Sequence, residues 1–363
     1  MSAKINVAIL MGGPSLEHEV SLSSGITVIK NLNADKYNTI PIVVGKNSAW
    51  YICEPEKFKN IHPAELKKWI CYTEELSLSD AINELKKKNI DVCFIAMHGS
   101  YGEDGTIQAV LNAHNIRYTG SGMLASSIAM DKIVYKRILL SAGVNTPDTV
   151  FVFPDKIEDE IELIQQVSGR IGFPCVIKTP SSGSSIGVEL CSSKNSFSDI
   201  INRLFPIDNR LLIEKYVNGR EFTCAVIGNS YSKDIKALPP TEIITKNAFF
   251  DFEAKYTPGA AQEITPAQIS ADLTSRISQT AIRVHNTIGC AGMSRTDMIV
   301  DTDGQIFVLE TNTIPGMTDQ SLLPQAAIAE GLSICELLDK IISCAMDEHS
   351  RKPRSALSKC NKE

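Results

Sequence analysis

The sequence predicts a mixed α/β protein with α+β character that opens on a parallel-sheet domain, and three observations predict it. Short, unbroken apolar runs (Ile5 to Leu10, Thr39 to Val44, Asp91 to Met97) alternate with helix-like stretches in the first third of the chain. Glycine-rich loops follow two of those runs, which is where open α/β sheets gather their ligands. Further on, β-branched runs come in pairs around turn clusters, the clearest being Asp301-Thr302-Asp303-Gly304. At 363 residues, 43% hydrophobic and 21% charged, the chain has the length of two or three ordinary globular domains.

Charge and composition exclude several partners. The net charge of −6, the pI near 5.6 and the lack of a long basic block argue against nucleic acid. The start, MSAKINVAILMGG, lacks the apolar core and cleavage site of a secretory signal. No apolar run approaches the roughly 18 residues of a membrane span, so no membrane partner is expected. The ten cysteines are scattered without metal-ligand spacing, as buried free thiols of a reducing cytoplasm would be.

The elements follow in order. Met11-Gly12-Gly13-Pro14-Ser15 turns the chain from the first strand into a helix-like stretch carrying Glu17, His18 and Glu19. No GxGxxG is present, so this is not a dinucleotide fingerprint. Glu17 is either an ammonium ligand on that loop or a capping carboxylate. Helical pieces are expected at Asp80 to Lys88 and Thr106 to Ala113. The loop His98-Gly99-Ser100-Tyr101-Gly102-Glu103-Asp104-Gly105 closes the third strand, and its histidine is either functional or solvated. Ala125 to Leu140 reads as one helix, ended by Ala142-Gly143 and Pro147, with a domain boundary between Gly122 and Pro147.

In the middle section, Pro174 to Lys178 reads as a strand ending in a lysine. The stretch from Thr179 to Val188 is a Gly/Ser-rich loop, either a phosphate-covering flap or a plain hairpin loop. It is not a Walker loop, since no GK[ST] opens a helix. Leu211 to Tyr216 and Glu221 to Val226 read as two strands around a turn at Asn218-Gly219-Arg220. Phe249 to Glu263 is aromatic, then small, and reads as an Ω-type excursion with Lys255 and Tyr256 as its working residues. A helix over Asp272 to Ile288 leads into the hairpin of Ser294 to Asn312, and the chain is expected to be helical from Pro324 to about Met346.

That hairpin carries the most chemistry. With its turn centred on Thr302-Asp303, Asp297 lies opposite Val308 and Arg295 opposite Glu310. Side-chain alternation then puts Arg295, Asp297, Glu310 and Asn312 on one face. Two carboxylates, a carboxamide and a guanidinium so placed make a hard-cation site with an anion clamp, or else the wet face of an edge hairpin. A one-residue bulge would break the arrangement.

Taken together, GGPSLEHEVSL, HGSYGEDG, GSSIGV and SRTD…ETNTIPGMTDQSLLP resemble, in this order, the D-alanine–D-alanine ligases of the ATP-grasp superfamily along nearly the whole chain. The resemblance implies an N-terminal Rossmann-like domain over 1–122, a two-domain ATP-grasp fold over 123–226 and 227–348, and a polar tail over 349–363. It implies ATP as a substrate, two Mg²⁺ or Mn²⁺ ions on Asp297, Glu310 and Asn312, phosphate contacts from Lys132, Lys178 and Lys255, and Ser185 as a further ATP-binding residue. Glu214, Lys215 and Val217 would form the adenine slot, and Glu221 would meet the ribose. Arg295 and the N–H of Gly316 would stabilise a tetrahedral oxyanion.

Glu17, with His98 nearby, would take the first D-alanine's ammonium, while Ser321 and Leu322 would hold the second substrate's carboxylate. Glu17, Ser184 and Tyr256 would form a closing triad. Tyr256 in the Ω-loop speaks against a depsipeptide product; D-serine as second substrate is less firmly excluded. Thr179 stands between Lys178 and Pro180 where relatives have proline directly. The expected protein is a cytoplasmic bacterial homodimer. The rival readings are an ATP-binding regulator that has lost turnover, whose mark would be a missing Arg295 or metal ligand, and another ATP-grasp ligase.

Overall fold

The computed structural model of the chain describes residues 3–58, 74–153, 160–181, 187–245 and 261–351. The described residues form three sheets. The first has the order β3 (Trp50–Ile52), β2 (Tyr37–Val44), β1 (Ile5–Gly12), β4 (Val92–Ile95). β1 runs parallel to both β2 and β4, which accounts for its unbroken apolar sequence: it is buried on both faces. Helices α1 (His18–Asn31), α2 (Pro55–Phe58), α3 (Leu78–Lys87) and α4 (Thr106–Ala113) accompany this sheet. The Ser77 side chain caps α3 by accepting from the Asp80 N–H, so the helix begins before the expected Asp80.

The next two helices differ from expectation. Ala125 to Leu140 is not one helix but two, α5 (Met123–Met130) and α6 (Lys132–Ser141), separated at Asp131. The Asp131 carboxylate accepts from the N–H groups of Ile133 and Val134 at 3.0 Å each and starts a second helix. An apolar period without Gly or Pro hides such an internal cap.

The second sheet is antiparallel, with the order β5 (Thr149–Val152), β8 (Leu211–Lys215), β6 (Cys175–Lys178), β7 (Val188–Cys191). Helices α7 (Glu160–Arg170) and α8 (Phe197–Leu204) bury its core through Leu163, Val167, Phe197, Ile200 and Ile201. The third sheet, also antiparallel, has the order β12 (Ala261–Ile264), β11 (Thr241–Thr245), β9 (Gly219–Ile227), β13 (Met293–Asp301), β14 (Ile306–Asn312), with β10 (Lys236–Ala237) beside β9. Helix α9 (Ala271–Ile288) packs on β9 and β13, and α10 (Leu322–Ala329) and α11 (Ile334–Arg351) follow. The helical stretch expected after Pro324 is thus broken between α10 and α11, around Gly331 with its φ of +86°.

Two further expectations are corrected by sheet membership. β8 and β9 do not form a hairpin: β8 lies between β5 and β6, whereas β9 lies between β11 and β13. Gly219 therefore opens a strand in place of a turn. A Cβ there would come within 2.2 Å of the Val300 carbonyl oxygen, so close pairing with β13 demands glycine. The last strand of the second sheet ends at Lys215 and β9 of the third opens at Gly219. Of the stretch read as an Ω-type excursion, the residues from Ala261 on belong to β12, which pairs with β11. Lys255 and Tyr256 lie outside the described residues.

The core of the first sheet extends into the third. One cluster joins Val7, Leu10 and Phe94 to Ile227, Met293, Ile314, Leu323 and Leu338. The cysteines of the described residues are free thiols. Among the described residues no helix is long and apolar enough to cross a membrane.

Candidate active site

The hairpin β13–β14 delivers its polar face by a route the sequence did not suggest. Gly304, at φ +77°, and the carboxylate of Asp301, which accepts from Asp303 and Gln305 N–H groups, close the turn so that Val300 pairs with Ile306 and Met298 with Val308. That register is one residue away from the expected one. Continued regularly, it would give Glu310 and Asn312 the parity of Val308, which is buried in the core. A bulge between Asp297 and Met298 restores the arrangement, leaving Asp297 opposite Glu310 and Arg295 opposite Asn312. The bulge thus makes the shared face that it was expected to break.

On that face Arg295 donates through Nε and Nη2 to the two oxygens of Asp297, both at 3.2 Å. Thr223 on β9 donates its hydroxyl to Asp297 Oδ1 at 2.5 Å. Burial works to lower the Arg295 pKa, but Asp297 and Glu310 outweigh it and hold the guanidinium charged. Lys132, the first residue of α6, sits 3.3 Å from Glu310 Oε2. The Asn312 amide oxygen accepts from Ile314 N–H at 2.8 Å.

Asp297, Glu310 and Asn312 offer hard oxygen donors of the kind magnesium takes. Among the described residues no group of three or more His, Cys, Asp or Glu side chains is placed to hold a metal. In this arrangement both Asp297 oxygens are taken up by Arg295 and Thr223, while Glu310 and Asn312 line the cavity.

The second sheet contributes a cluster at the ends of β6 and β8. Glu214 is buried between two lysines, with Oε1 2.9 Å from Lys136 and Oε2 2.8 Å from Lys178. Burial works to raise the Glu214 pKa, yet the two ammonium groups pull it down to about 2. Lys215 is exposed and donates its amide to Asp148, and Val217 and Glu221 are half-buried on the way into the third sheet. The stem of the Gly/Ser loop is tight: Thr179 N–H donates to Gly187 O at 2.9 Å, and Lys132 N–H to Pro180 O at 3.0 Å. A Cβ on Gly187 would meet Thr179 Oγ1 at 2.3 Å. Thr179 is therefore accommodated beneath a glycine. Ser184 and Ser185 lie outside the described residues.

The loops of the first sheet complete the site. Glu17 directly precedes α1, and a Cβ on Gly99, whose φ is +74°, would fall 2.7 Å from Glu17 Oε2. His98 is buried rather than solvated, with its Nδ1 3.3 Å from Glu103 Oε1 and 3.0 Å from the Ile314 carbonyl. Since both neighbours are acceptors, Nδ1 carries a hydrogen. Nε2 meets the Ser24 hydroxyl at 2.8 Å, and Ser24 Oγ accepts from Met317 N–H at 3.2 Å. Burial works to lower the His98 pKa, but Glu103, Glu17 and the Ile314 carbonyl raise it. His98 and Ser24 thereby clamp the corner Ile314-Pro315-Gly316-Met317 from both sides. A Cβ on Gly316 would lie 2.6 Å from Ser321 Oγ. Ser321 precedes α10, whose first N–H groups, starting at Leu322, present the positive end of the helix.

A cavity of about 490 Å³ gathers these groups, lined by Glu17, His98, Lys132, Arg295, Glu310, Asn312, Gly316, Ser321 and Leu322 among others. Asp297, Lys178, Glu214, Lys215, Val217 and Glu221 are not in its wall; Asp297 is on β13, Val217 lies between β8 and β9, and the others stand on the second sheet and at the start of the third. Sequence reasoning missed Glu103, which lines the cavity against His98, and Thr223, which orients Asp297. Glu103 was visible as an acid in HGSYGEDG, whereas Thr223 comes from another strand and left no local signal. Lys136 was also missed, since a lysine inside a helical run reads as surface.

Two antiparallel sheets bring Glu310 and Glu214 to lysines of one helix, and the fold is the ATP-grasp fold of the D-alanine–D-alanine ligase structures the chain is similar to. The family model "D-ala D-ala ligase N-terminus" matches residues 6–121 and "D-ala D-ala ligase C-terminus" matches 138–343. The chain is 37% identical to the D-alanine–D-alanine ligase of Carboxydothermus hydrogenoformans over 94% of its own length and 99% of the relative's. It is similar to the structure of the Bacillus anthracis D-alanine–D-alanine ligase complexed with ATP, with 33% identity, a TM-score of 0.74, and 96% and 99% of the two chains covered. It is also similar to the VanG D-Ala:D-Ser ligase of Enterococcus faecalis, at 30% identity and a TM-score of 0.82, over 94% and 100% of the chains. The chain belongs to the D-alanine–D-alanine ligase family.

Proposed function

We propose that the chain joins two D-alanine molecules into D-alanyl-D-alanine, with ATP converted to ADP and phosphate, as a precursor step of peptidoglycan synthesis in the bacterial cytosol. The observation that carries this reading is the single cavity of about 490 Å³ that puts the Glu17 carboxylate, the Arg295 guanidinium and the α10 N-terminus around one space. Such a site binds an ammonium at one end, a carboxylate at the other, and a developing anion between them.

In the proposed sequence, the first D-alanine's carboxylate takes the γ-phosphoryl of ATP and ADP leaves; the second D-alanine's amine, as the free base, then attacks the acyl phosphate, and the tetrahedral intermediate breaks its C–O bond to expel phosphate as the nitrogen gives up a proton. Glu17, with His98 nearby, holds the first ammonium. Arg295 and the Gly316 N–H stabilise the tetrahedral oxyanion, since donors aimed at that oxygen act only where charge develops. Ser321 and the Leu322 N–H hold the second carboxylate. Lys132, Lys178 and Lys255 meet the phosphates, and Ser185 is a further ATP-binding residue. Backbone groups of Glu214, Lys215 and Val217 line the adenine slot, and Glu221 takes the ribose. Glu17, Ser184 and Tyr256 close the site. Asp297, Glu310 and Asn312 are the proposed ligands of two Mg²⁺ or Mn²⁺ ions, which when bound supply charge neutralisation to the phosphates. The proposed assembly is a homodimer, checked by sedimentation velocity.

The test is a coupled ADP-release assay with D-alanine, L-alanine, D-serine and D-lactate, with products identified by mass. ADP release that needs D-alanine, with the D-alanyl-D-alanine mass, is expected. Likeness to the VanG D-Ala:D-Ser ligase favours D-alanyl-D-serine as the rival product. No dipeptide above background would falsify the reading.

A further inference from the structure

Helix α6 carries two lysines one turn apart on the same face, Lys132 and Lys136. Lys132 reaches Glu310 of the third sheet, and Lys136 reaches Glu214 of the second. The two differ in access. Lys132 lines the cavity, whereas Lys136 is 0% exposed and is absent from the cavity wall. No role in ligand contact is open to an ammonium so enclosed. Its neighbours are the Glu214 carboxylate at 2.9 Å and the Pro147 carbonyl at 3.4 Å.

Burying a lysine costs free energy unless its charge answers another, and Glu214 already has Lys178 2.8 Å from its other oxygen. The cluster is thus two ammonium groups on one buried carboxylate. Burial lowers the Lys136 pKa, and Lys178 adds to the effect, so this lysine is held against its own preference. For Lys178 the balance goes the other way, Glu214 outweighing burial. Lys178 also stands at the end of β6, beside the stem of the Gly/Ser loop, with its side chain 11% exposed.

We propose that Lys136 is a positioning residue that keeps Glu214 paired while the Lys178 ammonium moves from Glu214 to a nucleotide phosphate. The inference rests on the reading of Lys178 as a phosphate contact. With a one-to-one pair, that move would strand a bare carboxylate in the interior, and the cost would be charged against nucleotide affinity. With Lys136 fixed on the other oxygen by its helix, Glu214 is paired in both states and Lys178 is free to exchange partners. Lys132, one turn earlier, needs no such arrangement because its partner Glu310 lies in the open cavity.

The experiment is calorimetric binding of a non-hydrolysable ATP analogue with Mg²⁺, and of adenosine, to the full chain. Lys136→Met is expected to weaken the analogue at least about tenfold and to leave adenosine within about threefold, since only the phosphate contact is lost. Lys136→Arg should bind as the unaltered protein does. The double variant Lys136→Met with Glu214→Gln should bind the analogue within about threefold of Glu214→Gln alone, because no charge then holds Lys178.

Equal weakening of analogue and adenosine, or a double variant weaker than Lys136→Met alone, would mean a structural role and overturn the proposal. Lys178→Met separates the two ideas. Unchanged analogue binding there sinks the reading of Lys178, while weakened binding there with none in Lys136→Met sinks the inference alone. Should Lys136→Met not fold, the double variant decides: affinity near that of Glu214→Gln alone supports the proposal, and affinity as low as Lys178→Met's overturns it.

Discussion

His285 is a residue outside the cavity whose burial ties stability to pH. It is fully buried on α9, with Nδ1 2.7 Å from the hydroxyl of Ser294, the residue before Arg295. Burial outweighs the neighbouring carbonyls and lowers its pKa from an ordinary 6.5 to about 4. Between those values the unfolded chain binds a proton that the folded chain refuses, so stability falls as pH falls through that window. The effect amounts to roughly 3 kcal/mol once pH reaches the lower limit. Urea unfolding at pH 7, 6 and 5 should show a steeper acid loss for the unaltered protein than for His285→Gln. Parallel losses would rule the account out.

At the scale of elements, Asp131 decides where α6 begins and hence where Lys132 and Lys136 point. Its carboxylate caps two N–H groups and also pairs with Arg210 at 2.8 Å. Asp131→Ala should lose roughly 1–2 kcal/mol, and Asp131→Asn should regain most of it, because an amide oxygen still accepts from the helix start. Urea midpoints of the three proteins check this; an Asn variant as weak as Ala would mean that the Arg210 pair, not the cap, is what matters. The hairpin teaches the same lesson. The residue types of its face were legible in the alternation of Arg295, Asp297, Glu310 and Asn312. The register was not, because a slip of one residue in the turn is cancelled by a bulge of one residue, and neither has a strong local mark.

For the whole molecule, the distribution of cores divides the chain unequally. The first sheet shares one apolar cluster with the end of the third sheet and with α10 and α11. The second sheet has a cluster of its own, running from Val150 to Ile213, that includes no residue of the other sheets. Parts that share a core open together, and parts that do not are able to open separately. Hydrogen exchange should therefore be faster in β5, β6 and β8 than in β1 and β13. ATP with Mg²⁺ at about a hundredfold its Kd should slow exchange in β6 and β8, and adds about 2.7 kcal/mol to the state that binds it. Uniform protection across all three sheets, with or without nucleotide, would contradict this division.

Sequence alone determined the kinds of element, the loops that carry chemistry and the family, because apolar period, glycine loops and motif order are local or linear signals. The buried strand Ile5–Gly12, the loop from His98 to Gly105 and the polar residues of Ser294 to Leu322 were all readable that way. Tertiary structure decided which groups meet. Thr223 reaches Asp297 from the neighbouring strand, His98 after the first sheet reaches Ile314 after the third, and Lys136 turns inward to a carboxylate beyond its own helix. A lysine in a helix reads the same whether it faces water or a buried glutamate. Only the packing of a second sheet against that helix takes it out of solvent, and with burial its charge acquires a task.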